Sequence, residues 1–518
     1  MKQILHIFRK DIRRHWPEIV LSLALLVAFA WYEPRNWVPQ DGFRGSRIQS
    51  FLYGAVVVLL ILSWGLLVIR AIHSERLVGD RQYWITRPVQ WKKLLAAKML
   101  LIGVFVNIPL FIAQAFLLAE AGFRLTPSTV SSLLEMQLEL VVFCFLPIAA
   151  LAAVTASLAQ FALGLIAIAV YLAIGVTISS YVPSESFSSG SDNLQGVVLI
   201  GACLAVLLWQ YAKRETQRAR NILAAAALIV LLLMVATPYG ALVARQYPPL
   251  PPFEPQPIHL ELRPEKLPPS VALPDENHPE IRIPLLVSGI AEGSIVSIDG
   301  ATLTLEGPNG SRWNTGWKYT SLRLFPTTPR TQMDFEVNRK FFEKIKSGDV
   351  RARIGLAVTV FHEKNIRQLT ATAGEFPLPG LGLCSMEPGY ATNSLRCRYP
   401  FQTPSLVMNL AASSSTCRAS NLAVPQGKIA WIFDGASDAG PISPVGIDNI
   451  YFWNWDEVSD VKSTPSVCVG TPLTYDFPET VQRVGLEVEI ERLRVADHRF
   501  GNSLKFATGG GVVLTMPR

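Results

Sequence analysis

Catalytic and nucleotide-binding signatures are missing from these 518 residues. No G-x-x-x-x-G-K-[ST] run is present, the loop whose backbone N–H groups cradle phosphates. If ATP drives this chain, another chain must bind it. Neither H-E-x-x-H nor G-x-S-x-G occurs, so no zinc-hydrolase or serine-nucleophile chemistry is indicated. Histidine is scarce, with seven in the chain. His259, His278, His362 and His498 are scattered through the second half. The six cysteines never fall in C-x-x-C spacing, which argues against a zinc site. No cofactor, metal site or enzymatic activity is expected of this chain.

Charge is also sparse, at 17% of residues against 50% hydrophobic. Residues 1–245 hold 21 Lys/Arg and 12 Asp/Glu, whereas residues 246–518 hold 26 and 28. The basic excess thus belongs to the apolar half. A nucleic-acid binder would carry it on a water-exposed patch, so no nucleic-acid partner is expected. Basic residues flanking apolar runs read instead as membrane topology signals.

Seven apolar stretches approach the ~20 residues that a helix needs to cross ~30 Å of hydrocarbon. They are Pro17–Trp31, Phe51–Ile72, Leu94–Leu118, Leu138–Ala156, Phe161–Val182, Leu194–Trp209 and Ile222–Val243. The polar run Thr155–Gln160 separates the fourth from the fifth. With the N-terminus inside, sixteen Lys/Arg fall inside and five outside, a clear positive-inside bias. The start could be read as a signal peptide ending at Ala28-Phe29-Ala30. The apolar run is long for that and Trp31 would follow the cut badly, so a retained span is expected. Ahead of it, Ile4, Leu5, Phe8 and Ile12 share one helical face, with Arg9, Lys10, Arg13 and Arg14 elsewhere. That pattern is an amphipathic helix lying on the inner membrane surface. Within the spans, Asn107, Gln114 and the Glu135/Glu139 pair are polar. The amides are expected to bond between helices and the carboxylates to be solvated.

The segment 72–98 joins the second and third spans on the inside. It reads Glu75-Arg-Leu-Val-Gly-Asp-Arg-Gln-Tyr-Trp-Ile-Thr-Arg-Pro88, then Leu94-Leu-Ala-Ala-Lys98. Gly79 permits a turn, Pro88 stops a helix, and Trp84 and Trp91 are aromatics in a charged loop, the composition of a docking surface. This run and the opening Phe8-Arg-Lys-Asp11 resemble the ABC-2-type permeases, the membrane subunits of ABC transporters. The resemblance covers roughly the first half of the chain. It implies a separate cytoplasmic ABC ATPase as partner, and a dimeric bundle, whether a homodimer or a pair of permeases. It also implies a coupling loop shaped here by Gly79, Asp80, Trp84, Arg87 and Pro88. The family usually has six spans. The seventh here puts the C-terminus outside an inner or plasma membrane.

The remainder reads as a Pro-rich linker over residues 246–284 and a β-rich domain over 285–518, outside the membrane. The linker is read as an extended spacer that holds the domain off the bilayer. Ser294–Ile298, Asp299-Gly300 and Ala301–Leu305 predict a hairpin. Val350–Phe361 and Ile366–Thr372 predict a strand pair, Asn338–Lys346 a short helix, and Val481–Leu493 a half-buried strand. Many short strands with Gly/Pro turns suggest a sandwich, or two small ones. Cys384, Cys397, Cys417 and Cys468 in an outside domain suggest two disulfides, for which three connectivities exist; proximity favours Cys384–Cys397 and Cys417–Cys468. Asp434, Asp438 and Asp448 sit near glycine turns without EF-hand spacing. The expected architecture is therefore a multi-span α-helical bundle of about seven helices with an all-β, sandwich-like domain after it. Its expected function is transport of an unknown substrate as a permease subunit. The alternative is a membrane-anchored binding or sensory protein that displays its ligand site outside.

Overall fold

The computed structural model describes residues 2–37, 45–75, 78, 90–181, 189–236, 239–249, 259–262, 279–307, 310–324, 326, 330–387, 394–400, 406–410, 430–433, 442–450, 469–470 and 472–500. Among them, seven helices are long and apolar enough to cross a membrane: Lys2–Arg35, Phe51–His73, Trp91–Glu120, Pro127–Val154, Leu158–Gly175, Leu194–Lys213 and Thr216–Leu233. They are numbered spans 1 to 7 below. The first helix extends to Trp37, so the expected amphipathic helix and the first span are one helix. They meet at a kink where His15 leaves helical geometry (φ −111°, ψ 19°). Pro17 explains its place, because proline has no N–H to give and its ring crowds the preceding turn. The polar run between spans 4 and 5 turns the chain. Thr155 is extended, Ser157 accepts the Gln160 N–H, and the Gln160 side chain accepts the Ala156 N–H at 2.8 Å. Span 7 ends earlier than expected, its helix stopping at Ala236, and a separate helix follows at Tyr239–Gln246.

Spans 3 and 4 each contain one wide turn. Ile108 N–H bonds the Gly103 carbonyl, and Leu146 N–H bonds the Val141 carbonyl, five residues back instead of four. Each wide turn lies just ahead of a proline, Pro109 or Pro147. A proline forfeits its own helical hydrogen bond, and a π-type turn is one way for a helix to absorb that loss.

The β region forms two sandwiches, one inserted into the other. In the first, β3 (Ser294–Glu306), β4 (Arg312–Asn314), β5 (Lys318–Leu324), β7 (Asp349–His362) and β16 (Glu479–Arg494) form one sheet. The other holds β1 (His259–Leu262), β2 (Glu280–Ser288), β6 (Arg330–Glu336) and β17 (Arg499–Phe500). Ile281, Ile283 and Leu285 of one sheet pack on Ile298, Leu303, Ile354 and Leu356 of the other. The helix Arg339–Ile345 sits where expected, with the Asn338 side chain accepting its first N–H groups. Its Phe342 and Ile345 enter the same core.

The second sandwich leaves the first after β7 and returns at β16. One sheet runs β14 (Val445–Ile450), β11 (Ser394–Pro400), β10 (Gly382–Glu387), β9 (Glu375–Leu378). The other runs β13 (Ala430–Phe433), β12 (Leu406–Leu410), β15 (Pro472–Asp476), β8 (Arg367–Thr370). Cys384 and Cys397 face each other across β10 and β11 and are disulfide-bonded, as proximity favoured. Cys417 and Cys468 lie outside the described residues, as do Asp434 and Asp438. Both crossings between the sandwiches are tied by the buried Asp476, whose carboxylate accepts the Lys364 and Asn365 N–H groups at 2.6 and 3.1 Å.

Two strand expectations are corrected. The Asp299-Gly300 pair does not turn a hairpin, because β3 runs straight through it with a bulge between Ile298 and Gly300. The Asp299 carboxylate is engaged by the hydroxyls of Ser297, Thr359 and Tyr247, the last at 2.9 Å. Those contacts and two flanking partner strands hold the chain extended. Likewise β7 pairs with β3 and β16, whereas β8 pairs with β15.

The Pro-rich segment begins on the sandwich. Tyr247 reaches Asp299, the Gly485 N–H bonds the Pro248 carbonyl at 2.9 Å, and Pro249 bridges to Gly485. A side chain at 485 would stand 2.9 Å from the Tyr247 carbonyl, so this close approach needs glycine. Farther on, β1 lies within residues 246–284 and pairs with β2, which itself starts at Glu280.

Candidate functional site: a buried charge cluster at one end of the bundle

The buried face of the first helix is not the apolar one that the sequence advertises. Ile7, Asp11, His15, Glu18 and Ile19 are buried, while Leu5 is 47% exposed. Asp11, His15 and Glu18 recur at i, i+4 and i+7, which puts them on one helical face. Ile4, Phe8 and Ile12 pack at its margin, Phe8 stacking on Phe105 of span 3 at 6.0 Å. Arg9, Lys10, Arg13 and Arg14 remain exposed.

Lys98 organises the site. Its ammonium donates to Asp11 Oδ2 at 2.7 Å, Glu75 Oε1 at 3.0 Å and Ser74 Oγ at 3.2 Å. An ammonium has three donors, and all three are used. Asp11, Lys98 and Glu75 are 0%, 2% and 6% exposed. Next to them, Arg70 pairs with Glu18. Span 6 closes the cluster with the buried Gln210 and Tyr211, and the Arg214 charge acts on Glu75. Arg214 adopts φ +55° in the short turn into span 7. Such a backbone costs a non-glycine residue of order 1–3 kcal/mol. On the same end, Arg220 donates two hydrogen bonds to the Val154 carbonyl and His73 contacts Thr155.

The cluster gathers the three segments singled out in the sequence: Phe8–Asp11, the start of the 72–98 loop at Glu75, and its end at Lys98. Gly79, Asp80, Trp84, Arg87 and Pro88 lie outside the described residues. What is described is the loop's base, where both ends are clamped to the first helix by one ammonium. The segments are marked in the sequence, but their pairing is not. The available signal was Asp11, His15 and Glu18 at i, i+4 and i+7, with Lys98 set among apolar residues past the first turn of its helix.

Asn107 and Gln114 bond between helices, as expected, and their common partner is Gln137 of span 4. Asn107 Nδ2 donates to Gln137 Oε1, and Gln137 Nε2 donates to Gln114 Oε1, both at 2.8 Å. Glu135 and Glu139 are exposed. Among the described residues, no three His, Cys, Asp or Glu side chains gather closely enough to hold a metal ion.

Residues 10–175 match the family described as ABC-2 family transporter protein. The match covers about a third of the chain and takes in Asp11, Glu75, Lys98 and the first five spans. A search of curated proteins gives no match. Seven apolar spans together with this family match indicate an integral membrane protein whose N-terminal region is similar to the ABC-2 permeases.

Proposed function

We propose that this chain, with its ABC-2-type N-terminal region, is the membrane-spanning permease subunit of an ABC transporter. It couples to a separate cytoplasmic ATPase and moves a substrate whose identity is open. The N-terminus, the cluster around Lys98 and the loop 72–98 face the cytoplasm, and the two sandwiches stand outside. ATP hydrolysis belongs to the partner, since this chain has no phosphate-binding loop.

The observation that carries the reading is the Asp11–Lys98–Glu75 cluster. A docking loop transmits force only if its base is stiff. Here the base is a buried, fully donated ammonium linking the first helix with the ends of spans 2 and 3. A push on Trp84 and Arg87 at the loop would therefore act on three spans together. The Lys/Arg asymmetry supports the orientation.

Replacing Trp84 and Arg87 together by alanine tests it. The complex purified from such cells is expected to lose the dependence of ATP turnover on the permease, while the bundle stays folded. Unchanged coupling in the double variant removes the assigned role of the loop.

A further inference from the structure

At the end of the bundle away from Lys98, a piece of the second sandwich packs on the helices. Residues 442–445, at the start of β14, contact spans 1 and 3. Ile442 and Val445 are 1% and 2% exposed, and their partners belong to the core of the helical bundle, not to that of the sandwich. Two side chains hold the segment. Gln114 of span 3 donates to the Ile442 carbonyl at 2.9 Å. The Ser443 hydroxyl donates to Glu33, close to the end of the first helix, and Trp37 Nε1 reaches the same carboxylate oxygen at 3.4 Å. Glu33 is 3% exposed. Around this seat, Arg398 lies over the Trp37 ring at 5.8 Å and Leu383 abuts Gly122.

The Gln114 contact is the end of a ladder. Asn107, Gln137 and Gln114 form a hydrogen-bonded line across spans 3 and 4 that ends on the backbone of the second sandwich. Both helices carry their wide, proline-linked turn close to it, at Gly103–Asn107 and Leu140–Phe145. Such turns are where helices bend. A bend in span 3 or 4 would be felt at Ile442.

We propose that residues 442–445 are a releasable latch. They close the outer end of the bundle in this state and leave it when spans 1 and 3 part, so that the second sandwich is a lid and not a remote display domain. The assignment rests on the permease reading for the cycle that opens the latch, but not for the contacts that hold it. Among the described residues, the side-chain hydrogen bonds between it and the bundle are one amide to a carbonyl and one hydroxyl to a carboxylate, beside the apolar Ile442 and Val445. Hydrogen bonds of this kind contribute modestly, so a conformational change can break them.

Two measurements decide it. The first uses the full chain in lipid nanodiscs and follows backbone hydrogen exchange at residues 440–447. Glu33→Gln combined with Gln114→Leu is expected to accelerate exchange there more than tenfold and to leave β7 and β16 unchanged. Unchanged exchange at 440–447 overturns the latch, whatever the partner of the chain. The second joins Glu33→Cys to Ser443→Cys with a cleavable bifunctional thiol reagent, in a chain carrying Cys144→Ala and Cys203→Ala. Variants carrying one of the two introduced cysteines, and the parent carrying neither, serve as controls for reaction at the remaining native cysteines. In the complex with its ATPase, the bridge is expected to lower ATP turnover at least tenfold, and cleavage to restore it. Full turnover with the bridge in place overturns the lid. If no ATPase accompanies the chain, the permease reading falls, and the exchange measurement still decides the latch.

Discussion

Replacing Lys98 by methionine keeps most of the side-chain volume and removes the cation from between two buried carboxylates. At 2.7 and 3.0 Å, each ion pair is worth about 5–6 kcal/mol of attraction at an effective dielectric of 20. Much of that offsets the desolvation of three charges, so the intact cluster is not a large net stabiliser. The asymmetry appears when one member is lost. Asp11 at 0% and Glu75 at 6% exposure would then face each other without the ammonium that bridges them. Breaking a buried pair in this way costs about 3–5 kcal/mol. For a domain of this size that corresponds to roughly 6–20 °C in melting temperature. The assay is thermal unfolding of the full chain in mild detergent. Lys98→Met should melt lower by that amount. Adding Asp11→Asn and Glu75→Gln to it should recover most of the loss, because no buried charge is then left alone. A Lys98→Met variant as stable as the parent, or a triple variant worse than the single one, would refute the reasoning.

Three further outcomes follow from the sandwiches. Asp299→Ala removes the acceptor for Tyr247, Ser297 and Thr359. It should weaken the first sandwich by about 1.5–3 kcal/mol, and the Tyr247 phenol, pushed up to about 12 by burial and by Asp299, should titrate lower in a spectrophotometric titration. His498 is buried, and burial holds its pKa below the ordinary 6.5. The unfolded chain therefore protonates first as the pH falls. The stability that His498 contributes is full above 6.5 and is lost as the pH falls through its folded value. Exchange rates in β2 should rise over that window, and His498→Gln should flatten the rise. The Cys384–Cys397 bond closes a loop with a sequence separation of 13. Replacing both cysteines by alanine should cost the second sandwich about 3 kcal/mol, read by its unfolding midpoint in urea.

The spans were legible because hydropathy over some twenty residues outweighs every local preference in hydrocarbon. The turn at Thr155–Gln160 was legible because its polar atoms had to be satisfied locally. The burial of Asp11, His15 and Glu18 on the first helix was not legible. An apolar moment predicts the buried side only when the neighbour is apolar, and here the neighbour is Lys98. The Asp299-Gly300 hairpin failed for a related reason. A two-residue propensity was overridden by two flanking strands and three hydroxyls supplied by distant parts of the chain. The insertion of one sandwich into the other could not be read at all, since β7 and β16 pair across more than a hundred residues and no local pattern encodes that partnership. The seating of Ile442 and Val445 in the bundle is equally invisible, because a short apolar segment in a β domain looks like its own core.

The most direct test of the central claim is purification of the full-length chain from its native membranes in mild detergent, with mass spectrometry of what accompanies it. The account predicts a stoichiometric ATPase subunit that carries the phosphate-binding loop this chain lacks. Reproducible isolation of the folded chain without any such subunit would contradict the account and favour an anchored binding protein.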